Sequence, residues 1–181
     1  MKVNTSASVI IRIVLWLGLI VGGSYWSLMQ DFKNEQSLFF NPLFHIFSFI
    51  VGFVLMRFAF KAAAKGGKEL AKSGRDKSMP RLETNRLVTS GIYAYMRHPM
   101  LFGLLLIPIS LAFLLGSPTF ITIIAPLEML FIAFMVLVFE EMECKRKFGV
   151  DYEVYAQKVP IVCFKLVCLE ELFLKKPSYK E

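Results

Sequence analysis

Cysteine is scarce in this chain, and the glycine loops of soluble nucleotide-binding enzymes are missing. Three cysteines, Cys144, Cys163 and Cys168, stand among 181 residues. Their number is odd and no pair has CxxC spacing, which argues against a disulfide framework or a zinc site and for reduced thiols on the cytosolic side. Gly66-Gly67 sits among lysines with no strand ahead of it. A Gly-rich strand–loop–helix cofactor motif is therefore absent, and any cofactor must be held in a different way. No internal repeat or low-complexity tract is present, so repeat architectures are set aside. Acidic residues are outnumbered, 14 against 21 Lys+Arg, for a formal net charge of +7. That excess lies in one stretch without a stacking aromatic pattern, so it serves membrane topology and lipid headgroups rather than nucleic acid.

What the chain does have is apolar surface. It is 56% hydrophobic with 18 Phe, and its mean hydropathy is +0.56. A membrane span takes roughly 20 apolar residues. Four stretches qualify: about 8–28, 39–60, 100–115 and 119–139. The expected fold is an all-α polytopic membrane bundle of about four transmembrane helices with a cytosolic C-terminal helical segment, forming one domain over 1–181. The first span reads as a retained helix, because Arg12 interrupts its start and no small-x-small cleavage pattern follows. Between Lys61 and Arg97 lie nine basic and three acidic residues. Positive residues prefer the cytoplasmic side, so both termini, the basic loop and the C-terminal segment are expected on that face. Residues 64–80 read as a flexible loop or a short frayed helix. Ala156 to Lys176 reads as an amphipathic interfacial helix. Glu128, mid-span and two residues after Pro126, is either a functional carboxyl or a packing residue facing His45 or a hydroxyl.

Two stretches carry chemistry. The first is SGIYAYMRHPMLFG, residues 90–103. Arg97 and His98 stand where the basic loop meets the third span, and Pro99 suits the first turn of that helix. His98 can donate or accept a hydrogen bond near neutral pH, and Arg97 can grip a carboxylate or phosphate bidentately. The same residues also describe an aromatic-and-basic belt at a helix end, and the residues alone leave both readings open. The second stretch is FEEMECKRKFGVDYEVYAQKVP, residues 139–160. Glu140 and Glu141 come at the cytosolic exit of the fourth span, where carboxylates need partners or water. Tyr152 and Tyr155, three apart on one helical face, either pack at the bilayer edge or close a pocket.

Together the two stretches resemble the integral-membrane methyltransferases that include isoprenylcysteine carboxyl methyltransferases and phosphatidylethanolamine N-methyltransferases. The pattern Gly-x-Tyr-x-x-x-Arg-His-Pro, a Gly four residues on, Glu-Glu, Phe-Gly-x-x-Tyr-x-x-Tyr and Val-Pro runs over about 82–160. The resemblance implies a helical membrane enzyme that uses S-adenosyl-L-methionine to methylate a lipophilic or small acceptor: a carboxylate, an amine or a thiol. It implies that Tyr93, His98, Pro99, Glu140, Glu141 and Tyr152 form the cofactor site, and that Arg97 and Glu141 serve catalysis. Leu101 stands where the family carries Tyr, and no Arg precedes the two acids, which weakens a prenylcysteine carboxylate as acceptor. The second stretch also resembles the C-terminal signature of NADPH-dependent membrane sterol reductases. Such a reductase, and a non-catalytic membrane protein with a degenerate site, are the alternatives.

Overall fold

Helix caps and glycine stops divide the apolar runs. The computed structural model describes residues 5–75 and 84–173, with residues 5–13 as backbone only. Every element among the described residues is helical. Helix α1 spans Thr5–Asn34. A single turn at Gln36–Phe39 follows, then α2 over Pro42–Ser73. Asn41 caps α2: its Oδ1 accepts from the amides of Leu43 at 3.0 Å and Phe44 at 3.4 Å, and Pro42 fills the first position, where no N–H is needed. A 3₁₀ turn at Gly91–Ala94 leads into α3, Pro99–Leu115. Gly116, with φ +60°, ends α3. The Gly116 amide bonds to Phe113 O and the Ser117 amide to Ala112 O, the paired bonds of a Schellman stop. Helix α4 runs over Phe120–Lys158, and α5 over Leu166–Phe173.

Two helices, α2 and α4, are long and apolar enough to cross a membrane, and their apolar windows are only 17% and 22% buried within the protein. The large apolar side chains are turned outward: Phe47, Phe49, Phe53 and Phe60 of α2, and Leu127, Leu130 and Phe134 of α4, are exposed. Exposed apolar faces on that scale mark interaction surfaces, and by length and composition α2 and α4 are candidate membrane spans among the described residues. Helix α3 is apolar but shorter, at 17 residues. The expected first span falls within α1, whose opening side chains lie outside the described residues.

The chain forms two compact units: residues up to 54 with 108–130, and residues 55–107 with those from 131 on. In the first unit the buried seam is polar. Asp31 is fully buried on α1, where its Oδ1 accepts from the Thr119 amide at 2.9 Å and its Oδ2 from the Ser117 hydroxyl. Gly23 lies so close to α4 that a Cβ there would stand 2.7 Å from Ile124 Cγ2. In the second unit Ala62, Val88, Ile92, Met96, Phe102 and Leu172 make the core. Gly103 lets α3 approach α2: a Cβ there would stand 2.7 Å from Ala59 O and 3.0 Å from Ala63 N. Small residues at such crossings allow close backbone packing.

Several expectations need correction. Helix α2 continues to Ser73, so Lys65, Lys68 and Lys72 are helical rather than in a loop; residues 76–83 lie outside the described residues. The stretch 156–176 is not one helix: the chain leaves α4 at Val159 and re-enters a helix at Leu166, because Pro160 forces extended backbone on its predecessor. Residues 174–176 lie outside the described residues. Cys163 and Cys168 form a disulfide, with Cα atoms 6.0 Å apart, where reduced thiols were expected. The bend between α4 and α5 brings the two together, a proximity that sequence spacing does not reveal. Glu128 does not pair with His45. Both its carboxyl oxygens lack a partner among the described residues, and His45 instead contacts Phe39 O through Nε2.

Candidate active site

The site is assembled by two local devices in the second unit. The first is a pairing of two irregular segments. The Arg97 amide donates to Pro160 O at 2.9 Å and the His98 amide to Ile161 O at 3.0 Å. The Val-Pro element thus serves as the rail against which Arg-His is laid. The second device is a break in α4. Gly149 has φ 55° and ψ −132°, a backbone region open only to glycine. Eleven residues of straight helix span about 16 Å, yet the Tyr152 hydroxyl reaches Glu141 Oε1 at 2.7 Å. The kink folds the Tyr152–Tyr155 segment back over Glu141 of the same helix. A π-helical turn, Val136–Glu140, ends on the first of the two acids; such widened turns recur at functional sites.

Glu141 is the hub. Its Oε1 accepts from His98 Nε2 at 2.8 Å, Arg97 Nε at 3.2 Å and the Tyr152 hydroxyl, and its Oε2 accepts from Arg97 Nη2 at 3.2 Å. The side chains of Arg97 and Glu141 are only 9% and 11% exposed. Arg97 Nη1 also donates to Ala156 O at 2.6 Å and Val159 O at 3.2 Å. The guanidinium is engaged on all three nitrogens. Burial works to raise the Glu141 pKa, but the hydrogen bonds from Tyr152 and His98 and the charge of Arg97 outweigh it, holding the carboxyl below its ordinary range. It is a buried, ionised and fully bonded carboxylate.

Glu140 differs. Its side chain is 47% exposed, and its Oε2 lies 3.6 Å from His98 Nδ1. It lines a cavity of about 250 Å³ with Tyr93, Arg97, His98, Tyr152 and Tyr155. Leu101, Leu104 and Val136 give that cavity apolar walls, and Thr84 and Arg86 line it as well. Tyr155 donates to Tyr93 O at 2.5 Å, and the Tyr93 hydroxyl to Gly66 O at 3.4 Å. Burial, followed by the charge of Glu140, pushes the Tyr93 pKa up to about 12. Burial and the bond to Glu141 push Tyr152 up as well, so both phenols stay neutral. Cys144, the remaining free thiol, lines the cavity and is pushed up to about 11, first by burial and then by Glu140 and Glu141.

Of the residues singled out from sequence, Tyr93, Arg97, His98, Glu140 and Tyr152 therefore share one cavity wall. Pro99 and Glu141 stand behind it: Pro99 is fully buried as the helix start, and Glu141 faces side chains. Sequence reading did not single out Thr84, Arg86, Leu104 or Val136 as site residues. The spacing of Val136, Glu140, Cys144 and Phe148, four residues apart, was the available signal for one helical face. Two of the motif glycines also acquire roles here. Gly91, with φ +58°, sits so close to Glu69 that a Cβ would stand 2.9 Å from its carboxyl carbon, and Gly149 makes the kink.

This constellation can be set beside known proteins. A family model described as phospholipid methyltransferase matches residues 44–151. Protein-S-isoprenylcysteine O-methyltransferase B of Arabidopsis thaliana is 32% identical over 111 residues, 61% of this chain and 53% of that protein. The chain thus spans about half the length of that relative. No solved structure matches the chain. The matched segment contains most of α2, all of α3, both motif acids and the Gly149 kink, and on that match the chain belongs to the phospholipid methyltransferase family.

Proposed function

We propose that this chain is an integral-membrane methyltransferase that uses S-adenosyl-L-methionine to methylate a lipophilic or small acceptor at the cytosolic membrane face. The observation that carries the reading is the cavity whose wall brings the Glu140 carboxylate together with Tyr93, His98, Tyr152 and Tyr155. A sulfonium cofactor is a cation with polar ends. Carboxylates and phenol faces attract cations, and the apolar residues Leu101, Leu104 and Val136 suit a lipophilic acceptor. In this reading Glu140 holds the ribose hydroxyls or the amino group, and Tyr93, Tyr152 and Tyr155 frame the cofactor. Glu141 positions Arg97 and His98 from behind. When bound, the cofactor supplies an electrophilic methyl group, and the chain contributes orientation, which accounts for much of the rate in such transfers.

The proposed topology has four spans, α1, α2, α3 and the apolar part of α4, with both termini in the cytosol. The excess of basic residues between Lys61 and Arg97 supports that orientation. The test is calorimetry on the detergent-purified chain with S-adenosylmethionine, with NADPH in parallel. Saturable binding of S-adenosylmethionine that is weakened at least tenfold by Glu140→Gln is the expected result. Binding of NADPH alone would make the chain a reductase, and binding of neither would leave a degenerate site.

A further inference from the structure

Glu141 decides which nitrogen of His98 carries a proton. The carboxylate is ionised and can only accept, so the 2.8 Å contact with Nε2 requires a hydrogen there. The neutral ring then has a bare lone pair at Nδ1. Arg97 and Tyr152 hold Glu141 from other directions, and the His98 backbone is fixed by Ile161 O, so the ring has one orientation. His98 lines the cavity, and the Glu140 carboxylate lies 3.6 Å from Nδ1. A carboxylate that orients an imidazole whose other nitrogen faces a substrate space is the arrangement of a general base.

We infer that His98 accepts the proton of the methyl acceptor at Nδ1, with Glu141 as the positioning residue and Glu140 as the outlet for the proton. The inference rests on the methyl-transfer reading above and names the acceptor chemistry: a nucleophile that must lose a proton, an amine or a thiol. The proton of the acceptor's ammonium N–H or thiol S–H passes to Nδ1. The freed lone pair attacks the sulfonium methyl carbon of S-adenosylmethionine, the new N–C or S–C bond forms, and the methyl–sulfonium bond breaks with its electron pair going to sulfur. The imidazolium left behind stands between two carboxylates and is stabilised by both. The proton then leaves through Glu140, which is half-exposed. A carboxylate acceptor arrives already deprotonated and needs none of this. Arg97 is not open to pair with such an acceptor, because its three nitrogens are bonded to Glu141, Ala156 and Val159. The charged and titratable groups around His98 are Glu140, Glu141, Tyr152 and Cys144 of α4 with Arg97 beside it, and Tyr93, Tyr155 and Arg86 on the cavity wall.

The chain has two histidines, so [¹⁵N]histidine NMR of the detergent-solubilised full chain reads His98 with His45 as internal control. The expected spectrum of the neutral His98 ring shows the hydrogen on Nε2 and a bare Nδ1. Glu141→Gln, or the milder Tyr152→Phe if that variant does not fold, should perturb this ring and spare His45. A neutral ring with its hydrogen on Nδ1 overturns the inference. Long-chain amine, thiol and carboxylate amphiphiles are then assayed as acceptors with S-adenosylmethionine, and donor binding is followed separately by calorimetry. His98→Gln should lower transfer to amine or thiol about 10²–10⁴-fold near neutrality and recover as the pH nears the acceptor's own pKa. Transfer by the wild type to carboxylates alone, or an unchanged pH profile in His98→Gln, removes His98 from the role while leaving the methyltransferase reading intact. Absence of both donor binding and transfer removes that reading, and the His98 role with it.

Discussion

Two buried carboxylates, one in each unit, show how the same group serves two ends. Asp31 accepts from a hydroxyl and a backbone amide, Ser117 and Thr119. Neither partner titrates, and the arrangement fixes the start of a helix. Glu141 accepts from Arg97, His98 and Tyr152, and each of these partners lines a cavity. Asp31 fastens backbone, whereas Glu141 holds side chains at set angles toward a space a ligand can enter. A buried acid is therefore read by what its partners face. Glu128 makes a third case, with both oxygens unpartnered among the described residues.

The comparison can be broken from its strongest point. Arg97→Ala leaves Glu141 buried without its cation, and the expected loss is about 3–5 kcal/mol of stability together with cofactor binding, read by thermal unfolding in detergent and calorimetry. Gly149→Ala puts a Cβ on a backbone conformation closed to it, for a cost of about 1–3 kcal/mol. That change should also draw Tyr152 off Glu141 and weaken cofactor affinity. Asp31→Ala removes a cap and should cost about 0.5–2 kcal/mol with cofactor affinity unchanged, which sets the two carboxylates apart in one pair of measurements.

Acid sharpens the contrast. The folded pKa of Glu141 lies below its ordinary 4.5, so its contribution to stability is fully present above that value and is lost as the pH falls through the folded pKa. The acid-unfolding transition should flatten in Glu141→Gln. The smallest effect belongs to Cys144. With its pKa raised from 9.0 to about 11, it holds about a hundredfold less thiolate at neutral pH than an ordinary cysteine. Iodoacetamide should label it correspondingly slowly, and faster once the protein is unfolded.

Much of this was legible in the sequence, and the reasons are physical. Long apolar runs in lipid favour helices, and Pro99 marks a helix start by backbone chemistry, whereas the Asn41 cap emerged only from the structure. The motif residues Tyr93, Arg97, His98, Glu140 and Tyr152 were brought together by one family pattern. The hub role of Glu141 was hidden, because nothing in a string of residues shows that three donors converge on the second of two adjacent acids. The Gly149 kink was hidden too: a lone glycine in a helical pattern is compatible with an unbroken helix. The Cys163–Cys168 bond depends on a bend whose angle the spacing does not state.

The central claim is that the cavity beside Glu140 and His98 holds S-adenosylmethionine. Ultraviolet crosslinking of radiolabelled S-adenosylmethionine to the full chain in detergent, followed by peptide mapping, tests it most directly. Label confined to the peptides carrying residues 84–104 and 136–155, and lost in Glu140→Gln, is the expected result. Label elsewhere in the chain, or none that excess unlabelled cofactor displaces, would contradict the account.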